Sequence, residues 1–254
     1  MTTRPLPFAL LAALILPLTS PAPTTLRYKY TQSFQQTIDL SVMGQDVQSQ
    51  QVTYDAYLTI ATHDSARGHA VVAKVDSIVA APDADPVIAS ALMTQLKDAN
   101  DSGFVDAEGE VTGFGKTMAS AGLKGLMQAV FPKVKKGAKP GDAWTDTTSV
   151  TDSASGGALT RNMITSYTAT AGDKWKGEPT LKLVTTTSMS VSGMQGGAQL
   201  EGNGRNNGTW TLARSGHMVR SETSGELNLT ATAPQAPAPV PIVNKTSSTL
   251  VLLP

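Results

Sequence analysis

Residues 26–42 alternate between apolar and polar side chains, and this pattern constrains the fold more than any other feature of the chain. In the sequence LRYKYTQSFQQTIDLSV the apolar side chains share one parity: Leu26, Tyr28, Tyr30, Phe34, Ile38, Leu40 and Val42. A period of two is typical of a β-strand with one buried face. At roughly 3.3 Å per residue the segment would extend about 55 Å, whereas a usual strand has about 5–6 residues.

Two further segments continue the pattern. Residues 50–64 place five apolar side chains on one face: Val52, Tyr54, Ala56, Leu58 and Ile60. Gly68 begins a third alternating segment that extends to about Ala80. Because residues 43–49 are few enough for a hairpin connection, the sequence predicts a meander of three long antiparallel strands.

Two helices are predicted after this meander. Asp85 is a good N-cap and Pro86 suits the first helical position, where a missing N–H costs nothing. A second helix is predicted from about Lys116 to Phe131, where Pro132 ends it. The apolar stripes of the two helices are Ile88, Leu92 and Leu96, and Met118, Leu123, Leu126, Met127 and Val130. Residues 103–114 lie between the helices and predict a small hairpin.

A second β-rich half begins after a turn. Lys139-Pro140-Gly141-Asp142 has the chemistry of a type II turn, with Pro at its second position and Gly at its third. The predicted strands after it are residues 143–150, 159–171, 180–191, 209–213, 218–230 and the tail 243–254. Residues 202–208, GNGRNNG, are predicted to form a flexible loop.

We therefore predict an α+β fold that is mainly β. Because sheets twist, strands of this length do not lie flat, so the sheet should curl into a half-barrel with the two helices over its concave face. The Gln35–Gln36 pair is the predicted position of a bend. Residues 23–254 are predicted to form a single domain, with a helical insertion at about 85–131 and a proline-rich spacer at 234–241 before the terminal strand.

Residues 1–22 have the features of a signal peptide. Arg4 supplies a positive charge and Phe8–Leu16 form an apolar run of nine residues, which is too short to span a bilayer. The chain has no cysteine, so disulfides, thiolate metal sites and a lipid anchor on cysteine are excluded. We expect an exported protein, periplasmic or extracellular and soluble, without a transmembrane helix in its mature part.

Charge and motifs exclude several functions. With 20 basic and 20 acidic side chains, nothing selects nucleic acid as a partner. Residues 109–117, GEVTGFGKT, end in Gly-Lys-Thr, but Glu110 stands where a phosphate-binding loop needs its first glycine. Residues 202–208 lack the strand-to-helix context of a dinucleotide loop. No cofactor is predicted.

The three histidines give weak site hypotheses. His63 and His69 flank a predicted turn and could approach each other across it, but two ligands without a carboxylate make a weak metal site. His217 lies near Ser215 and Glu222, although no nucleophile motif surrounds any serine. A triad assembled in space stays an alternative, because triads are defined by geometry.

Lys133, Lys135, Lys136 and Lys139 form the one basic cluster of the sequence. A solvated turn explains such a cluster. The functional alternative is a contact with anionic lipid headgroups or an acidic partner.

Residues 131–144, FPKVKKGAKPGDAW, resemble a stretch of uncharacterised exported bacterial proteins in which a Gly-Asp-x-Trp turn separates a helical insertion from a second set of strands. The layout of signal peptide, long curled strands and covering helices is similar to that of the LolA/LolB-type periplasmic lipoprotein carriers. That resemblance implies a concave apolar face that holds acyl chains, and it assigns no individual residues.

The leading hypothesis is a non-enzymatic exported protein that binds a lipid-like or other hydrophobic molecule in an apolar groove between sheet and helices. The residues predicted to line this groove are Tyr28, Tyr30, Phe34, Ile38, Leu92, Leu96, Leu126 and Phe131. Two alternatives stay open: an envelope structural or protein-interaction module with a filled core, and a hydrolase that uses His217 or the His63/His69 pair.

Overall fold

A computed structural model of the chain describes residues 24–65, 67–106, 108–115, 118–153, 157–234 and 236–254. The predicted signal peptide, residues 1–22, lies outside the described residues. The described part contains eleven β-strands and two α-helices. The strands are β1 (Thr24–Ile38), β2 (Gln48–Ser65), β3 (Gly68–Ala80), β4 (Asn100–Asp106), β5 (Val111–Thr112), β6 (Ala143–Asp152), β7 (Leu159–Ala171), β8 (Leu181–Gln195), β9 (Ala198–Leu212), β10 (Met218–Thr232) and β11 (Val240–Leu252). The helices are α1 (Pro86–Leu96) and α2 (Met118–Val130).

All eleven strands belong to one antiparallel sheet in the order β5-β4-β3-β2-β1-β11-β10-β9-β8-β7-β6. Strands that follow one another in the chain are neighbours in the sheet, except that the chain crosses from β5 to β6. The first strand β1 pairs with the last strand β11 along its length, from Tyr28 opposite Leu252 to Ile38 opposite Ile242. The sheet is not closed, because β5 and β6 form its two edges. The mainly β fold and the three-strand meander are confirmed.

The first strand is long but shorter than the alternation predicts. It ends at Ile38 because Ser41–Met43 form a 3-10 turn that finishes at Gly44, whose φ is +70°. The ladders that β1 forms with β2 and β11 continue without a register shift through Gln35–Gln36. Register shifts lie instead between Tyr57 and Leu58 in β2 and between Met218 and Arg220 in β10.

The first helix begins at Pro86 as predicted, and the second ends at Val130, one residue before the predicted end at Phe131. The Asp85 carboxylate caps α1 by accepting hydrogen bonds from the backbone N–H groups of Val87 and Ile88, at 2.9 and 3.1 Å. The main contacts of α1 and α2 are with each other and with β2–β5. Side chains that are almost fully buried fill the space between these helices and the sheet: Leu58, Ile60, Val71, Val75, Leu123, Met127 and Val130.

The predicted flexible loop at 202–208 is wrong. These residues lie inside β9 and pair with β10 on one side and β8 on the other, with Gly204 between Leu227 and Met189. A side chain at Gly202 would collide with the backbone of Asn228 and Leu229. The glycines therefore permit close approach of the neighbouring strand. Composition alone does not distinguish glycines of this kind from the glycines of a flexible loop.

The Gly-Asp-x-Trp stretch joins the two halves as predicted. Gly141 has φ +98° and the Asp142 N–H donates to the Lys139 carbonyl oxygen at 3.1 Å, as a type II turn requires. Gly141 and Asp142 also exchange backbone hydrogen bonds with Ala169 at the end of β7, at 2.9 and 2.8 Å. The turn thus fixes where β6 begins against β7.

Among the residues that the structure describes, no helix has the length and apolar character needed to cross a membrane.

Candidate functional site

A partly open cavity of about 650 Å³ lies at one end of the strands, the end at which β1 begins. We call it the end cavity. Five stretches distant in sequence line it: His69 on β3, residues 105–106 and 108–109 around the end of β4, residues 131–132 and 134–140 after α2, residues 171–172 and 179–181 between β7 and β8, and residues 212–216 between β9 and β10. Its walls therefore come from both halves of the chain.

The base of the end cavity is apolar. Val105, Phe131 and Leu212 line it from the hydrophobic core, with exposed fractions of 1%, 4% and 4%. Val134 and Leu181 are half-buried and pack against the same core. Phe131 is the first residue after α2, because Pro132 prevents the helix from continuing. The position of the helix end therefore places the Phe131 ring at the cavity.

His69 forms part of the wall through two contacts. Its ring stacks on Phe131, with centroids 6.4 Å apart and planes 25° from parallel. Its Nδ1 lies 2.7 Å from a carboxylate oxygen of Asp64, the residue opposite it on β2. His63 lies opposite Ala70 and so projects from the other face of the sheet. The predicted approach of His63 to His69 is therefore wrong, because adjacent ladder positions face opposite sides.

Four cationic side chains surround the end cavity: Lys135, Lys136, Lys139 and Arg214. We call them the basic rim. Lys135 lies 3.8 Å from the Asp142 carboxylate. Lys136, Lys139 and Arg214 are exposed and have no ion-pair partner among the described residues. Three of the four predicted cluster lysines thus lie at this cavity, while Lys133 is exposed beside it.

Two carboxylates also line the cavity, Asp106 and Glu108. Asp106 is held in the turn after β4, where its Oδ1 accepts hydrogen bonds from the backbone N–H groups of Glu108 and Glu110, both at 2.8 Å. These two N–H dipoles offset part of its charge. The lining keeps an excess of two positive charges, although the whole chain is neutral.

Ser215 and His217 form a pair at the margin of the cavity. The Ser215 hydroxyl oxygen lies 2.8 Å from Nδ1 of His217. Burial lowers the pKa of His217 to about 4, and the charges of His69 and Lys176 add to the effect. Its Nε2 is buried without a hydrogen-bond partner among the described residues, and its ring forms a T-shaped pair with that of Trp175, with ring centroids 5.5 Å apart. A catalytic triad needs an acid on that second nitrogen to orient the imidazole.

An aromatic group lies on the apolar face of the second half. Trp144 stacks on Tyr167 with centroids 4.8 Å apart and planes 6° from parallel, and Tyr167 meets Trp210 edge to face at 5.9 Å. Trp144 belongs to the Gly-Asp-x-Trp stretch, so the stack attaches edge strand β6 to β7. We interpret it as structural, because the rings pack on one another.

The eight residues predicted to line a groove occupy different places. Phe131 lines the end cavity. Tyr28, Leu96 and Leu126 are buried in the core, with exposed fractions of 0%, 4% and 6%. Half-buried positions on the apolar face of β1 are occupied by Tyr30, Phe34 and Ile38. Leu92 lies on α1 and its side chain is outside the described part of the structure.

Most of the cavity was not predicted from the sequence. The lysines stood out as a cluster, but Arg214, Leu181 and Leu212 were not predicted as site residues. The lysine cluster after a predicted helix end was the available signal. Lys116 and Thr117 of the Gly-Lys-Thr motif lie outside the described residues. No group of three or more metal-ligating side chains occurs in the described part of the chain.

Comparison with known proteins identified no relatives: no protein family, no curated protein and no solved structure matches the chain.

Proposed function

We propose that the protein is a non-catalytic, exported binding protein that holds a lipid-like or other hydrophobic molecule in the end cavity. The observation that carries this proposal is the volume of about 650 Å³ over a base of core apolar side chains. Cavities of about 300–1,000 Å³ with mainly apolar walls are typical of small-molecule sites. Export rests on the features of residues 1–22.

The proposal includes a curled, half-barrel sheet. His69 on β3 and Leu181 at the start of β8 line the same cavity, yet six strand steps separate β3 from β8 in the sheet order. On a flat sheet with strands about 4.8 Å apart, those strands would be about 29 Å from each other. Curvature toward the apolar face brings them together, and this supports the half-barrel.

The cavity suits a ligand better than the space between the helices and the sheet. The side chains that fill that space include Leu58, Val75, Leu123 and Met127, each of which is at most 1% exposed. A ligand there would have to displace a packed core, and such displacement is unfavourable. At the end cavity Val134 and Leu181 are only half-buried, so a ligand would remove further apolar surface from water at about 25 cal/mol per Å².

Binding without catalysis is supported by the Ser215–His217 pair. A general base is most effective when its pKa lies near the working pH, and the pKa of His217 is lowered to about 4. A buried imidazole whose Nε2 has no hydrogen-bond partner in the described part of the chain is a poor partner for a nucleophilic serine. The short contact instead fixes the turn between β9 and β10.

The first test is identification of bound molecules. Native mass spectrometry of the protein purified from the envelope of its own host should show a co-purifying hydrophobic molecule at a fixed ratio. The purified protein, after delipidation, should also bind the neutral dye Nile red with saturable fluorescence. Protein that carries no molecule and does not bind the dye would contradict the proposal.

A cavity-filling substitution locates the binding site. Ala138→Trp places a large ring in a loop that lines the end cavity, so dye affinity should fall about tenfold or more, a change of about 1.4 kcal/mol. Ala143→Trp makes the same change at an exposed residue of β6 and should leave affinity unchanged. Equal effects of the two substitutions would place the dye elsewhere.

A further inference from the structure

We infer that the ligand of the end cavity is an anionic amphiphile, an apolar chain that ends in a carboxylate or phosphate. This inference rests on the proposed function and specifies its ligand. The base of the cavity is apolar and its rim is cationic, so the two parts of such a molecule each meet a matching surface. A purely apolar ligand would leave the charge at the rim without a role.

The first support is that the rim cations are available. The side-chain cations of Lys136, Lys139 and Arg214 are exposed and form no ion pair with any described residue, while Nζ of Lys135 lies 3.8 Å from the Asp142 carboxylate. An anionic head could therefore be bound without breaking an ion pair that the protein already makes. Unpaired Lys and Arg side chains are the usual partners of carboxylate and phosphate groups.

The second support is that the cations come from separate segments. Lys135, Lys136 and Lys139 belong to the connection between α2 and β6, whereas Arg214 belongs to the turn between β9 and β10. A solvated lysine-rich turn would explain the first three residues, but it does not explain an arginine from a segment 75 positions later at the same cavity. The fold concentrates positive charge there, although the chain as a whole is neutral.

The third support concerns the carboxylates at the cavity. The Asp106 carboxylate is occupied by two backbone N–H groups at 2.8 Å. Glu108 is exposed on the same turn, and its carboxylate has no such contact with any other described residue. Removing its charge should therefore strengthen anion binding, while removing rim cations should weaken it. If the two kinds of substitution change anion affinity in opposite directions, the change is electrostatic and does not come from general damage to the site.

The experiment compares ligands that share one chain length. Displacement of Nile red is measured with decanoate, decyl phosphate and decanol, and with inorganic phosphate as a head without a chain. At about 0.02 M salt we expect both anionic amphiphiles to bind about tenfold or more tightly than decanol. At about 0.5 M salt this advantage should shrink, because salt screens exposed charges. Inorganic phosphate alone should not displace the dye.

Substitutions assign the effect to the basic rim. The triple variant Lys136→Gln, Lys139→Gln, Arg214→Gln should lose about tenfold in decanoate affinity and keep its affinity for decanol. Glu108→Gln should bind decanoate more tightly than the unsubstituted protein. Lys97→Gln, at an exposed lysine after α1, is the matched control and should change neither affinity.

The outcomes separate this inference from the proposed function. If decanol binds as tightly as decanoate, or if the triple variant keeps full decanoate affinity, the anionic head is excluded while apolar binding stands. If no ligand with a chain binds, both ideas are wrong. If inorganic phosphate competes as strongly as decyl phosphate, the rim is a site for free anions and the amphiphile is excluded.

Discussion

The hydroxyl group of Tyr28 donates a hydrogen bond of 2.7 Å to the backbone carbonyl oxygen of Met218, a residue 190 positions later in the chain. Both residues are buried, with exposed fractions of 0% and 1%. Tyr28 lies on β1 and Met218 begins β10, and only β11 separates these strands in the sheet. This single contact therefore connects the two halves of the chain inside the core.

Replacing Tyr28 with Phe should lower the free energy of unfolding by about 1–3 kcal/mol, because the Met218 carbonyl oxygen loses its partner in a buried place. Urea unfolding followed by circular dichroism measures the change. Tyr57→Phe removes a hydroxyl from a partly exposed residue of β2 and should change stability by no more than about 0.5 kcal/mol. A similar small change for Tyr28→Phe would show that the hydrogen bond contributes little.

The lowered pKa of His217 predicts acid sensitivity. In the unfolded chain the imidazole binds a proton below its ordinary pKa of 6.5, whereas in the folded protein it does so only below about 4. Between these values the unfolded state holds more protons, so stability falls as pH decreases from about 6.5 to about 4. The loss attributable to this residue approaches about 3 kcal/mol.

Unfolding free energies measured from pH 7 to pH 4 test this expectation. His217→Gln cannot take up the proton, so its stability should fall less steeply over that interval than that of the unsubstituted protein. His63→Gln, at an exposed position on β2, should keep the original slope. If all three proteins showed the same slope, protonation of His217 would not be linked to unfolding.

Local patterns were sufficient for most individual strands. Gly68–Ala80 and Leu159–Ala171 begin and end as the alternation of apolar residues predicts. The start of α1 at Asp85 and Pro86 also follows from two residues. These features depend on backbone preferences and periodicity within a few residues, which a single sequence contains.

Pairings between distant segments were not predictable in the same way. Nothing local in residues 240–252 indicates that they pair with β1, because any half-buried strand has the same alternation. Gly202 and Gly204 suggest a flexible loop by composition, yet each lies close against residues of the neighbouring strand β10. The role of such a glycine depends on its partner, and the partner is set by topology.

The candidate site was less predictable than the fold. The end cavity combines five separated stretches, and its cations become a group only when Arg214 reaches the lysine-rich connection. Phe131 was predicted as a lining residue, and it is the last residue of the second predicted helix. Leu181 and Leu212 resemble any other apolar residue at a strand end, so no sequence pattern distinguishes them.

The edge strand β6 is open to pairing on one side. Among the described strands β7 is its single partner, and nearly all residues of β6 are exposed. Its sequence AWTDTTSVTD is rich in threonine and contains no lysine or proline, the residues that usually protect an edge. Asp146 lies opposite Thr165 and on the same face as Trp144, whose ring packs on Tyr167. A charge on that face of an edge strand opposes pairing with another chain.

Asp146→Val removes this charge and leaves a β-branched side chain on an exposed strand of high β-propensity, so we expect self-association to strengthen about tenfold or more. Sedimentation velocity over a range of protein concentrations measures it. Asp83→Val removes one carboxylate from the exposed turn after β3 and serves as the control for net charge. Association of the Asp146 variant alone would show that β6 is available for strand addition and that Asp146 prevents it. If the two variants sediment like the unsubstituted protein at every concentration, the edge is protected by its twist or its neighbours and not by this carboxylate.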